Sequence, residues 1–508
     1  MSQLPADPPR PGPRSTPPGG VGPGFRWPDE RSPKAPEAVG PSMRSAGWEE
    51  WGQRLIVSVG LVVALLIYFS APVDGLTIEG KRAFSVFVLC TALWISNALP
   101  YGVTALLAVA GLGLTGAVKP SDAYSSFGSS AIFFLMGIFL IGGALTDTGL
   151  SKRGALLMLR RFDGSPFKFA MGMMLTGAFA TVWMPNQATT AMLFPIAMEV
   201  AGALHLKPRE SEYGKLLFFS MAWGAMVGGN MSFLGSSRAA LALGMLQKNY
   251  GQGIGFAQWM LAAAPVVVLG LLTTPLILRL VIRPEPVDFA AARRVIERAV
   301  DNLGPMRRPQ YTAMAIISLT IAAWVSVGGR RVDLAVIALL GAVTLFVFKV
   351  LTWEKAERHV YWNIVLMYGG AIALGSALDK TGAAKWLLQG ALNGYQPSAL
   401  MTIFGSAVLA LLLSEVMSNA AALAVVLPLA FTLANQSGAS PVALVLAVSF
   451  GAGLDFMFPM STAPNTIIFA SGYLKTSDFL KAGLIMTVAS ILILLAVIKF
   501  WWPLIGLV

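Results

Sequence analysis

The sequence predicts an all-α polytopic membrane protein, and three observations lead there. Of 508 residues, 56% are hydrophobic and 12% charged, whereas soluble domains run near roughly 45–50% apolar and about 25% charged. Apolar runs of the length needed to cross about 30 Å of hydrocarbon recur from Leu55 to the end of the chain. Many of the 52 glycines and 31 prolines lie inside those runs, where membrane helices tolerate them if neighbouring protein satisfies the freed backbone groups.

Taken in order, residues 1–49 are rich in Pro, Gly, Ser and charge and lack apolar periodicity. They read as a disordered tail, too long and polar for a signal peptide and placed in the cytoplasm by Arg10, Arg14, Arg26, Arg31, Lys34 and Arg44. Apolar segments follow at 53–71, 83–99, 101–118, 127–150, 167–202, 214–245 and 257–282. The polar stretch 283–310 carries Arg293, Arg294, Arg298, Arg307 and Arg308 and reads as a cytoplasmic linker. Further segments run at 311–327, 333–350, 363–379, 398–434, 442–472 and 480–502.

The composition also excludes several classes. A single cysteine, Cys90, permits no internal disulfide, thiolate cluster or CxxC pair. His205 and His359 are far apart, which argues against a histidine metal site. The net charge of +12 resides in short connections, as the positive-inside rule expects, so no nucleic-acid partner is expected. No HExxH, catalytic carboxylate pair or Ser/His constellation points to an enzyme.

The chain repeats itself. Residues 135–152, LMGIFLIGGALTDTGLSK, resemble 368–385, YGGAIALGSALDKTGAAK, at an offset of 233. The same offset carries Pro185-Asn186-Gln187 onto Ser418-Asn419-Ala420 and Pro195 onto Pro428, while Trp94 and Trp324 lie 230 apart. LGSSRAA at 234–240 takes the place of MSTAPNT at 460–466. Each copy reads as five passes plus one re-entrant hairpin, near 121–152 and 361–385, with Thr148 and Thr381 at equivalent places. An odd number of passes inverts the second copy, as in alternating-access carriers. The expectation is about eleven transmembrane helices and two hairpins: a first span plus first repeat over 50–282, then the second repeat over 311–508. The N-terminus would lie inside and the C-terminus outside the cell membrane, the inner membrane in a Gram-negative cell.

Chemistry is expected where polar residues interrupt apolar runs. In TVWMPNQATTAMLFP at 181–195, Pro185 breaks the helix, and Asn186, Gln187, Thr189 and Thr190 stand beside the break; the alternative is a kinked helix with its polar groups internally bonded. At 415–428, Ser418 and Asn419 offer oxygens and donors, while Glu415 is either a proton site or a structural acceptor. Helix starts at Ser236-Ser237 and Thr462-Ala463 would turn free N–H groups toward an anion. Arg238 either supplies fixed positive charge there or snorkels to lipid head groups. Asp455 would pair with Arg238, bind a cation or carry a proton. Together these stations predict a carrier for a small anion, with an anion channel as the rival reading.

At these four stations the sequence resembles the divalent anion/sodium symporter family, whose motifs are Ser-Asn-Thr at two helix breaks and a Thr-Pro-Pro-Asn-like tip after each. Ser418-Asn419 and Thr462-Ala463-Pro464-Asn465 carry the resemblance in the second half, and PNQATTAMLFP around Asn186 carries it in the first. The resemblance implies a homodimer with scaffold and elevator-type transport domains, and substrates such as dicarboxylates, citrate or sulfate. It implies sodium at Ser418, Asn419, Thr462 and Ala463. Departures stand at Pro185 for Ser, at Gln187 and Ala420 for the two Thr, and at Ser236-Ser237-Arg238-Ala239 for the first tip. They point to a weak or lost sodium site near Asn186, with Arg238 supplying its charge. Coupling is then to one sodium site, to protons through Asp455 or Glu415, or to a counter-anion.

Overall fold

A computed structural model describes residues 46–328, 331–392 and 395–508. The expected tail lies outside the described residues except at 46–49, which open the first helix. Every long element is helical: α1 Ala46–Phe69, α2 Ile78–Ser96, α3 Tyr101–Leu114, α4 Pro120–Tyr124, α5 Ser130–Asp147, α6 Leu150–Leu159, α7 Pro166–Ala180, α8 Asn186–Ala203, α9 Glu212–Gly228, α10 Ser237–Tyr250, α11 Phe256–Val281 and α12 Ala290–Asp301. Then come α13 Arg308–Ser326, α14 Leu334–Val347, α15 Trp353–His359, α16 Trp362–Lys380, α17 Ala383–Leu392, α18 Ala399–Ser414, α19 Asn419–Ser437, α20 Pro441–Gly451, α21 Ala463–Phe469 and α22 Thr476–Ala496.

By length and apolarity, five helical segments among the described residues could each cross a membrane, or six if α15 and α16, bent by 58°, count as one. The shorter apolar helices α3, α14, α18 and α20 need partners to do so. Large apolar side chains face outward along α1, including Leu55, Val59 and Leu66 at 64, 52 and 66% exposure. That surface suits lipid rather than water.

The repeat is visible in helix ends. α3 and α6 map onto α14 and α17 with both ends displaced by 233 residues, α5 maps onto α16 with its start displaced by 232 and its end by 233, and α2 maps onto α13 at 230. Local devices recur as well. The indole N–H of Trp94 donates to the Tyr101 carbonyl at 3.5 Å, and that of Trp324 to the Leu334 carbonyl at 3.1 Å. Thr148 and Thr381 each donate to the carbonyl four residues back at 2.7 Å. Gly149 and Gly382 then turn the chain at φ near 72° and 73°, a conformation open to glycine at little cost. Packing is reciprocal: Gly137 of α5 sits on Ala338 of α14, and its equivalent Gly370 of α16 sits on Ala105 of α3. The two halves thus contact each other reciprocally at these glycines.

The segments expected as hairpins are helical over most of their length, with α15 and α16 meeting at a 58° bend. Segment 120–147 is one rod ending in the Gly149 turn, and 362–380 is a single helix. Apolar runs alone could not separate a glycine-rich rod from a hairpin arm. The hairpin with a polar tip is α7–α8. α7 runs parallel to α9: the Tyr213 hydroxyl donates to the Pro166 carbonyl at 2.9 Å, and Gly224 and Gly228 pack on Met174 and Ala178. α8 runs against α9, with Asn186 beside Gly229 and Phe194 beside Phe218. α7 and α8 are therefore antiparallel, with their turn at 181–185. In the second half, the end of α18 and the start of α19 both meet the segment just past α20, through Glu415 and Asn419.

α9 is buried from Tyr213 to Gly228 and α20 from Ala443 to Gly451, so these two form the interior against which the hairpins lie. The polar linker also contains a helix: α12 buries Ala292, Ile296 and Val300 at helical spacing, a pattern hidden by its arginines.

Candidate functional site

Each hairpin tip and each interrupted helix ends in a new helix start. α8 begins after Pro185, whose lack of an N–H suits that position; the Asn186 N–H donates to the Gly235 carbonyl at 3.0 Å. α19 begins after Ser418, whose hydroxyl caps the Ala421 N–H at 3.3 Å. α10 follows Ser236 and α21 follows Thr462, neither with a side-chain cap. All four starts face one cavity of about 300 Å³, lined by Asn186, Gln187, Ser236, Ser237, Arg238, Ser418, Asn419, Thr462 and Ala463 among others. The N-terminal ends of α8, α10 and α19 thus turn partial positive charge and N–H groups toward one space.

Arg238 adds a full charge. It is 3% exposed, so the head-group alternative is corrected: the side chain points into the protein. Its Nε donates to the Ser449 carbonyl at 2.8 Å and its Nη2 to the Asn230 Oδ1 at 2.6 Å. The guanidinium rests on Gly453, where any Cβ would overlap it. Ser449 is in the last turn of α20, so the cation sits at the carbonyl end of that helix, where the dipole favours positive charge. The Ser237 carbonyl beside it accepts the hydroxyl of buried Tyr368.

The carboxylates stand behind the cavity wall. Asp455 is fully buried, and no direct ion pair joins it to Arg238 among the described residues. Its Oδ1 accepts from Asn419 Nδ2 at 3.2 Å and its Oδ2 has no partner. Glu415 accepts the Phe456 and Met457 N–H groups at 3.0 Å and the Thr487 hydroxyl at 3.2 Å. Those bonds make it a clamp on the loop that carries Asp455. Asn465 donates to the Asp455 and Phe458 carbonyls, leaving its Oδ1 unpartnered.

Of the residues expected at the site, Thr189, Pro464, Asn465, Asp455 and Glu415 do not line the cavity. Thr189 is buried with its hydroxyl unpartnered, and Thr190 bonds back to the Asn186 carbonyl at 2.9 Å. Tyr101, Ile364, Met367, Met460, Ser461 and Thr466 line it unforeseen. Tyr101 carried a faint signal, a polar aromatic directly after Pro100. Ile364 and Met367 carried none, since α16 reaches the cavity only through tertiary packing. Among the described residues no group of three or more His, Cys, Asp or Glu could hold a metal ion. The oxygens at the second tip belong instead to the hard, neutral type that suits a small monovalent cation.

The sequence model for the sodium:sulfate symporter transmembrane region matches residues 50–508. The chain is 26% identical over 483 residues to the sodium-dependent dicarboxylate transporter SdcS of Staphylococcus aureus strain bovine RF122 / ET3-1, covering 89% of this chain and 92% of that protein. The figures are the same for the SdcS of strain MW2. Among solved structures, the Alcanivorax borkumensis YdaH transporter aligns at a TM-score of 0.47 and 15% identity, over 76% of this chain and 88% of that one.

Proposed function

Since the chain belongs to the sodium:sulfate symporter family, and is therefore a multi-pass membrane transporter of anions rather than an enzyme, we propose that it carries a small divalent anion of the dicarboxylate class by alternating access. One observation carries the reading: three helix N-termini surround a single cavity that Arg238 also lines, with its guanidinium held by Ser449 and Asn230. Fixed donors of this kind replace the hydration of a carboxylate or sulfate without reorganising.

In this reading α1, the broken pairs α9–α10 and α20–α21, and the remaining long helices make eleven passes, and α7–α8 and α18–α19 are the two re-entrant hairpins. The halves lie inverted relative to each other. The hairpins with α9–α11 and α20–α22 move as an elevator against a scaffold built from α2, α3, α5, α13, α14 and α16. Two copies assemble into a homodimer.

Sodium, as co-transported ion, binds at the second tip, among Ser418, Asn419, Thr462 and Ala463, with Asp455 close behind. At the first tip Arg238 takes over a cation's charge, which lowers the number of sodium ions per cycle. The test is flux in proteoliposomes with imposed sodium, proton and anion gradients: concentrative succinate uptake that needs sodium supports the reading, and equal uptake without any sodium ends it. A second reading, proton coupling, rests on the buried Asp455 Oδ2, which has no hydrogen-bond partner among the described residues. It requires uptake driven by a proton gradient alone and abolished in Asp455→Asn.

A further inference from the structure

We propose that the apolar crevice between α13 and the α5–α6–α7 segment holds an acyl chain of an anionic phospholipid whose head group is met by Arg153. The crevice encloses about 510 Å³, and its walls include Leu150, Met158, Phe179, Met306, Met314 and Ile317. That volume is in the range of small-molecule sites. A dry gap of this size would strip its walls of dispersion contacts, which interiors packed to crystal density do not tolerate. Its rim is open: Leu157, Phe179 and Met314 are 46, 56 and 44% exposed. On membrane-facing helices, the medium at that rim is lipid tail rather than water.

Charge selects the kind of lipid. Arg153 lines the crevice, and its Nη2 is held by the carbonyls of Leu303, Gly304 and Pro305 at 2.8, 2.8 and 3.3 Å. Its Nε is buried with no partner among the described residues. Arg153 as a whole is half-buried, and a phosphate is the anion its accessible guanidinium edge would take. Around it the surface is basic: Lys152, Arg307 and Arg308 are exposed, and α12 turns Arg294 and Arg298 outward while burying its apolar face. Basic clusters at the membrane boundary attract anionic head groups. The crevice wall also includes Trp183 and Met184, the turn of the first hairpin, so the occupant touches the element that carries Asn186.

The test uses the full chain, delipidated in detergent and offered phosphatidylglycerol or phosphatidylcholine of identical acyl chains, with retained lipid counted by native mass spectrometry. The expected result is preferential retention of phosphatidylglycerol by the unaltered protein. Arg153→Gln should weaken that retention about tenfold and remove the preference. Met314→Trp, which fills the crevice from a half-exposed position, should remove the retained lipid without touching Arg153. Equal retention of the two lipids by the unaltered protein overturns the proposal, and so does undiminished phosphatidylglycerol in both variants. Loss of dimer in Met314→Trp with lipid retention unchanged would assign the crevice to a second copy instead.

Discussion

The two hairpin tips occupy equivalent places in the repeat and have diverged in charge. At the second tip, Ser418 caps α19 and Asn419 reaches Asp455, so a neutral tip faces a buried carboxylate. At the first, Pro185 replaces the capping hydroxyl, and the cation of the following helix start, Arg238, is tied across to α20. One half therefore holds a permanent positive charge and the other holds uncommitted oxygens. A repeated backbone can keep its geometry while its two tips diverge in charge, because charge is set by a few side chains and geometry by the helix ends.

The largest effect is expected at the permanent charge. Arg238→Met leaves Asn230 and Ser449 without their charged donor, two hydrogen bonds of about 1.5–3 kcal/mol each, and should lower the initial uptake rate by about 100-fold or more. A near-normal rate with raised sodium dependence would instead show that a sodium ion can reclaim the place. Next come the two asparagines. Asn419→Ala should raise the half-saturating sodium concentration about tenfold, roughly 1.4 kcal/mol, whereas Asn186→Ala should raise the substrate KM by a similar factor and leave sodium affinity unchanged. Identical sodium responses in the two variants would erase the distinction between the tips.

A smaller change is expected from Gly453→Ala, whose new Cβ displaces the guanidinium. Overpacking of about 1–3 kcal/mol should slow uptake and lower the melting temperature, with lesser loss of rate than Arg238→Met. The smallest effect lies outside the membrane. Ser211 caps α9 and also donates to Glu285 at 2.5 Å, and the Tyr213 N–H donates to the same carboxylate at 2.9 Å; Ser440 caps α20 by accepting from the Ala443 N–H at 3.3 Å. Burial alone would raise the Glu285 carboxyl, but the hydrogen bonds from Ser211 and the backbone outweigh it and hold it below its ordinary 4.5. A depressed carboxyl stabilises the fold above its unfolded-state value and loses that contribution as the pH falls through its folded value. Melting temperatures should thus drop slightly below about pH 4.5, Glu285→Gln should flatten that step, and Ser440→Ala should cost about 1 kcal/mol at every pH.

The sequence by itself determined the membrane class, the repeat and the four polar stations. Each is a local pattern: apolar length, a fixed offset, or a Pro, Ser or Asn interrupting an apolar run. It also marked Asn186, Ser237, Arg238, Ser418, Asn419 and Thr462, which do meet at one cavity. Only the tertiary structure decided which apolar pairs fold back as hairpins, since rods and hairpin arms share a composition and differ in what they pack against. It alone placed Arg238 on Ser449 and Asn230 rather than at the surface, set Glu415 as a clamp and brought α3 and α16 to the cavity. The directions of these side chains depend on partners 41 to 211 positions away as well as on near neighbours, and no local pattern carries that distance.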